Sequence, residues 1–179
     1  DFQKLVLSRA VSIPRTAGVD PETLFFSACS RYPRMFISLV DAPQCGTWLT
    51  ATPEILLSGG GSEWLTIALA GTMPYSDALQ CCELLQWSEK NRIEQRIVAT
   101  YITEQLEQFT LSFTEEGPFT ARAGHLAHLR SDFHFTLSHH CELGNLIQAL
   151  HPTPAVCGLP KQSAIDFILK NEHTSRSYY

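Results

Sequence analysis

The 179-residue sequence has no cluster of lysine and arginine, no CxxC pair, no glycine-rich nucleotide motif and no apolar run of membrane-spanning length. Each absence removes a class of function. Thirteen basic residues stand against eighteen acidic ones, for a net charge of −5, and nothing offers a run of phosphate contacts to nucleic acid. A small anionic substrate is still allowed, because a few local charges can override the global sign. Without GxGxxG or a P-loop, there is no sequence case for dinucleotide or nucleoside triphosphate binding of those kinds. The longest apolar runs fall well short of a bilayer, so no membrane partner is expected. The six cysteines, Cys29, Cys45, Cys81, Cys82, Cys141 and Cys157, are scattered. With no signal-peptide pattern, they read as thiols of a reduced, cytoplasmic protein. No internal repeat is visible.

Hydrophobic residues make up 44% of the chain and charged residues 17%, a balance that supports a sizeable core and excludes a disordered tail. "FQKLVLSRAVSI" reads as a buried strand. "VDPETLFFSACSRY" reads as a helix, with Asp20 as N-cap and Pro21 at the first helical position. "MFISLV" and "TWLTATPEILLSG" read as strands around the turn-like "DAPQCG", and "SEWLTIALAGT" reads as a further strand. "SDALQCCELLQ" is a short helical pattern. "EKNRIEQRIVATYITEQLEQF" is the strongest one, with Ile93, Ile97 and Tyr101 four residues apart. "FTARAGHLAHLRSDFHFTL" reads as strand, and "ELGNLIQAL" and "PKQSAIDFILKNE" as helices. Between those two helices lies "HPTPAVCGLP", a stiff, irregular segment set by its prolines. Short turns between neighbouring strands imply antiparallel pairing, and the expected class is α+β: largely antiparallel sheets flanked by helices.

Four places could carry chemistry, each beside a plainer reading. Lys4 lies in the first strand, where it points either to solvent or inward; inward, desolvation would make a neutral amine available as a base. Glu54, in "TATPEILL", is either a surface glutamate or a half-buried carboxyl able to donate a proton. Glu94 shares a helix face with Val98 and Tyr101 and needs a partner there, either a salt bridge or a hard cation such as Mg²⁺. Gly71, in "ALAGT", either ends a strand or lets backbone approach a ligand. "SHHC" at 138–141 lacks a second ligand pair for a zinc site, and Cys81 and Cys82 read as packing residues.

The order of these segments carries more than any one of them. "KLVLSR", "TPEILL", "ALAGT", "EKNRIEQ", "HL" at 125–126, "HPTPAVCGLP" and the "E…R..Y" of 172–179 follow one another as in the chorismate-utilising enzymes. The chain resembles this family throughout, most closely its isochorismate synthases. The resemblance implies one chorismate-binding catalytic domain over 1–179, present as a fragment of that fold. The family's long N-terminal region is missing before Lys4. So is the continuation past Tyr179, which supplies an arginine, a lysine and further glutamates. A chain beginning at Asp1 inside a strand-like run and ending at "SRSYY" fits that expectation.

Roles follow from the same resemblance. Lys4 is similar to the lysine that activates water for attack on ring carbon 2 of chorismate, and Glu54 to the glutamate that protonates the departing 4-hydroxyl. Glu94 resembles a ligand of the Mg²⁺ that holds the ring carboxylate. Gly71, Thr72, His125, Ala155 and Tyr179 resemble substrate-binding positions, Ala155 through its backbone in the proline loop. Ala70 stands where aminodeoxychorismate synthases carry a nucleophilic lysine. The implied activity is Mg²⁺-dependent conversion of chorismate to isochorismate, for menaquinone or siderophore biosynthesis. Salicylate synthase is the alternative enzyme, and a non-catalytic chorismate-binding chain the alternative of another class.

Overall fold

The computed structural model describes residues 1–14, 18, 20–75, 86–137 and 143–177. Its centre is a four-stranded antiparallel sheet of β4 (Ser58–Gly60), β5 (Glu63–Pro74), β7 (Leu126–Thr136) and β6 (Phe113–Ala123), in that spatial order. A two-stranded sheet joins β2 (Phe36–Ala42) to β3 (Gly46–Thr52). A second joins β1 (Lys4–Leu5) to β8 (Gly158–Leu159). The helices are α1 (Pro21–Arg31), α2 (Glu89–Leu106), α3 (Leu143–Leu150) and α4 (Lys161–Asn171). Every strand pairing among the described residues is antiparallel, so the α+β class holds.

Local chemistry sets the helix starts. The Asp20 carboxylate accepts from the Thr23 backbone N–H at 2.8 Å, with Pro21 supplying a preset φ. Ser88 does the same for α2, its hydroxyl accepting from the Asn91 N–H at 3.3 Å.

The main core lies between the sheet and α2 with α3. Ala68 and Ala70 of β5, Phe133 and Phe135 of β7, Val98, Ala99, Tyr101, Ile102 and Leu106 of α2, and Leu146 and Leu150 of α3 form one buried cluster. Small alanines on β5 let α2 approach the sheet closely, while burial of each large side chain contributes about 1.5–3 kcal/mol. β7 alternates cleanly. Ala127, Leu129, Ser131, Phe133 and Phe135 are buried, whereas His128, Arg130 and Asp132 are only half-buried and share the other face.

The structure revises several sequence expectations. The opening stretch pairs only at Lys4–Leu5, because its partner β8 is two residues long and emerges from a proline-rich loop. "TWLTATPEILLSG" breaks after Thr52, at Pro53, and resumes as β4. The stretch read as one strand over 119–137 is a hairpin, turned at Gly124 and His125. The buried stripe of α2 includes Gln95, whose Nε2 donates to Ser131 Oγ at 2.8 Å, while Ile93 is 51% exposed. The helix predicted over "SDALQCCELLQ" lies outside the described residues but for Gln86, as do Cys81, Cys82, the whole "SHHC" segment and Tyr179.

Candidate active site

The sequence-level question about Lys4 is whether it faces solvent. Its side chain is only 9% exposed, and Nζ lies 3.9 Å from Glu94 Oε1 on α2. β1 is held against β8 by the Lys4↔Leu159 and Leu5↔Gly158 pairs, extended by the Gln3 N–H to Leu159 O and the Val6 N–H to Cys157 O. Burial lowers the Lys4 pKa below its ordinary 10.5. The carboxylates of Glu94 and Glu54 pull it back up, and Lys90 pushes it down further.

Glu54 arrives by a different route. β4 pairs with β5 only from Glu63 to Leu65. Beyond it, the irregular segment after Pro53 takes over the edge of β5: Ile67 N–H donates to Ile55 O at 3.4 Å, and Thr66 Oγ1 donates to Leu56 O at 2.7 Å. Glu54 itself donates its N–H to Thr52 Oγ1 at 3.1 Å. Its carboxyl is pushed up to about 7 by burial, against the smaller opposing pulls of Lys4 and Arg130. Arg130 is a weak counter-charge because Asp132 grips it in a forked pair, Nε to Oδ1 at 2.5 Å and Nη2 to Oδ2 at 3.0 Å. Lys4 thus lies within electrostatic reach of two carboxylates, Glu94 and Glu54.

Gly71 sits at a bulge where β5 slips register against β7 between Ala70 and Thr72. Its φ is +73°, and an added Cβ would stand 2.7 Å from the backbone oxygen of Asn91, one turn before Glu94 on α2. The bulge leaves Thr72 Oγ1 3.1 Å from His128 Nδ1. Burial lowers the His128 pKa, and a hydrogen bond to the Gly71 backbone opposes that shift. His128 is therefore the histidine in contact with the Gly71–Thr72 segment. His125 lies in the β6–β7 turn, where its carbonyl accepts from the Tyr75 N–H at 2.8 Å. Strict alternation along "AHLRSDF" was the available signal for His128, since it puts His128, Arg130 and Asp132 on one face.

Ala155 is partly buried against the main core, and the fully buried Pro154 anchors the loop beside it. Sequence reasoning also missed Lys161. At the start of α4 a cation opposes the helix dipole, so its charge must be satisfied elsewhere. Nζ donates to His151 O at 2.8 Å, Ala149 O and Tyr101 Oη at 3.1 Å each, and Gln148 O at 3.4 Å. It therefore caps the carboxy-terminal end of α3 and holds the start of the proline loop.

Among the described residues, Glu94 is a carboxylate of the site open enough for a hard cation. Its side chain is 33% exposed, and its ion pair with Lys4 is long. The described residues contain no group of three or more His, Cys, Asp or Glu placed to hold a metal. A single carboxylate fits an ion such as Mg²⁺, which keeps waters and shares substrate oxygens, and does not fit a closed protein cage. A groove of about 470 Å³, lined by Trp87, Arg92, Ile93, Arg96, Pro118 and Leu129 among others, includes none of Lys4, Glu54 and Glu94.

Comparison with known proteins decides the family. The whole chain, residues 1–179, matches the family described as chorismate binding enzyme. The chain belongs to that family. Among curated chorismate-binding enzymes, it is 36% identical over 192 residues to the isochorismate synthase DhbC of Bacillus subtilis, covering 99% of this chain and 48% of that protein. It is also 36% identical over 137 residues to the "Salicylate biosynthesis isochorismate synthase" of Pseudomonas aeruginosa, covering 74% of this chain and 29% of that protein. The fold superposes on the crystal structure described as a DhbC isochorismate synthase of Bacillus anthracis with a TM-score of 0.81, at 27% identity, over 90% of this chain and 46% of that one. The chain spans about half the length of these relatives, or less. No helix among the described residues is long and apolar enough to cross a membrane.

Proposed function

We propose that the protein is an isochorismate synthase, converting chorismate to isochorismate by attack of water at ring carbon 2 with loss of the carbon 4 hydroxyl. The observation that carries this reading is the inward placement of a lysine and a carboxyl: the Lys4 side chain is 9% exposed with Nζ 3.9 Å from Glu94 Oε1, and Glu54 stands on the segment hung along the β5 edge. An addition with allylic displacement needs a neutral base and a protonated acid in one site at neutral pH. Burial moves Lys4 toward the neutral amine and Glu54 toward the protonated acid. Relatives named isochorismate synthase support the same choice.

In this mechanism Lys4 Nζ takes a proton from water as the water oxygen bonds carbon 2. Both conjugated ring double bonds shift, from C1=C2 and C5=C6 to C1=C6 and C4=C5, and the carbon 4–oxygen bond breaks as Glu54 gives its proton to the leaving hydroxyl. One water enters and one leaves, so substrate and product are isomers. Lys4 ends as the ammonium and Glu54 as the carboxylate, and proton exchange resets both. Glu94 would hold Mg²⁺, which when bound supplies positive charge to the ring carboxylate. Gly71, which lets β5 approach α2 closely beside Glu94, and Thr72 with His128 would line the ring. Backbone groups near Ala155 would meet a substrate carboxylate. Ala70, buried on β5, offers no amine for an enzyme-bound nucleophile.

The test is product analysis. The intact protein incubated with chorismate and Mg²⁺ should yield isochorismate by chromatography. Salicylate with pyruvate would replace this reading with a salicylate synthase, and binding without turnover would replace it with a non-catalytic chorismate-binding protein.

A further inference from the structure

The residues Glu172 and Arg176 have no part in the chemistry above, yet with Ser8 they make a dense polar cluster of their own. Glu172 caps α4, its N–H donating to Ile168 O at 2.9 Å. Its carboxylate accepts from Arg176 Nε at 2.7 Å and Nη2 at 2.5 Å, a forked pair. It also accepts from the Ser8 N–H at 2.7 Å and Ser8 Oγ at 2.9 Å. The guanidinium then reaches outward to two backbone carbonyls, Val156 O at 2.8 Å and Val6 O at 3.0 Å.

Those two carbonyls are on opposite sides of the β1–β8 strip. Val6 follows Lys4 by two residues, and Val156 follows Ala155. The backbone ladder between the two segments ends at the Val6 N–H to Cys157 O bond. Arg176 ties together the next carbonyl on each side, and Glu172 secures Ser8 beyond. A ladder of two residue pairs fixes the position of Lys4 weakly, because each hydrogen bond contributes only about 1 kcal/mol net. A planar fork held at both ends loses little freedom in making the remaining bonds.

We propose that Arg176, locked by Glu172, is a positioning residue for the reaction: it sets the spacing between the strand bearing Lys4 and the loop bearing Ala155. This inference rests on the proposed function. It differs from a merely structural ion pair in predicting that loss of the fork misplaces the base while the sheet and α2 stay intact. Misplacement of a catalytic group by about 1 Å can cost on the order of 10²-fold in rate.

The experiment compares the intact protein with Arg176→Met, Arg176→Lys and Glu172→Gln, by steady-state kinetics on chorismate and by hydrogen exchange without substrate. Arg176→Met should lower kcat about 10–100-fold. It should speed exchange of the Val6 and Ser8 amides about fivefold or more and leave the α2 amides unchanged. Arg176→Lys keeps the charge but not the fork and should recover only part of kcat. Glu172→Gln, the milder change, decides the matter if Arg176→Met does not fold, and should shift the same two amides and kcat in the same direction. Normal kcat despite faster exchange would overturn the positioning role. Unchanged exchange at Val6 and Ser8 would overturn the clamp itself, whatever the protein does with chorismate. If the unaltered protein makes no isochorismate, the proposed function fails, while the exchange data still decide whether Arg176 holds the two segments together.

Discussion

The β5–α2–β7 body and the β1–β8 strip hold functional residues by different physics. In the body, Gly71, Thr72, His128 and Glu94 ride on long paired strands and an eighteen-residue helix, over a core in which Ile102, Leu106 and Phe133 are fully sealed. In the strip, Lys4 rides on two ladder pairs, and side chains do the rest: Arg176 and Glu172 at one end of the proline loop, Lys161 at the other. Glu54 is intermediate, an irregular segment hung on the edge of β5 by two hydrogen bonds. The body makes a rigid floor through apolar burial. The strip makes a precise edge through charged hydrogen bonds. The proposed base lies on the element with the shorter ladder.

That contrast is sharpest in paired substitutions. Lys4→Met keeps the buried stem and removes the amine, so turnover should fall about 10²–10⁴-fold with the melting temperature little changed. Glu54→Gln should lower turnover by the same order. Near wild-type turnover in either variant, measured with chorismate and Mg²⁺, would remove that residue from the mechanism. Phe133→Ala should do the reverse, costing about 3–5 kcal/mol of stability by chemical denaturation through the cavity left beneath α2. If Lys4→Met unfolds the protein as readily as Phe133→Ala, the division between floor and edge is wrong.

Gly71→Ala tests the point where the body approaches the site. The added Cβ would press on the Asn91 backbone oxygen at 2.7 Å and force a side chain into a left-handed φ. A stability loss of about 1–3 kcal/mol is expected, with α2 displaced next to Glu94. Chorismate binding by calorimetry should weaken with it. An unchanged affinity and stability would show that the close approach is incidental.

Much of this architecture was legible in the chain. Asp20-Pro21 announced α1, and the apolar period announced α2, because both signals are local. The centre of the α2 stripe was misread because Gln95 is buried for a partner, Ser131, that lies 36 residues away. The long first strand was overread because its length is set by β8 and not by its own β-branched residues. The inward orientation of Lys4 depends on α2, and the shift at Glu54 on burial at the β5 edge, so neither could come from local pattern. The lysine at the start of α4 was visible all along as a conflict with the helix dipole, but its resolution needs the end of α3 in view.

A smaller effect follows from proton linkage at Glu54. Its folded pKa of about 7 lies above the ordinary 4.5, so between those values the folded state binds more protons than the unfolded one. Stability contributed by this group is full below 4.5 and is lost as pH rises through about 7, by roughly 3 kcal/mol at most. Glu54→Gln should flatten that slope in melting temperature measured from pH 4.5 to 8. An identical slope in the variant would assign it to another group.

The central claim, that Glu54 is a protonated acid beside Lys4, is tested most directly by titrating Glu54 itself. The side-chain carboxyl carbon can be followed by ¹³C NMR in the intact, metal-free protein, and assigned by its absence in Glu54→Gln. The account predicts an inflection near pH 7. An inflection at the ordinary carboxylate value near 4.5 would mean that Glu54 is ionised at neutral pH and cannot be the proton donor.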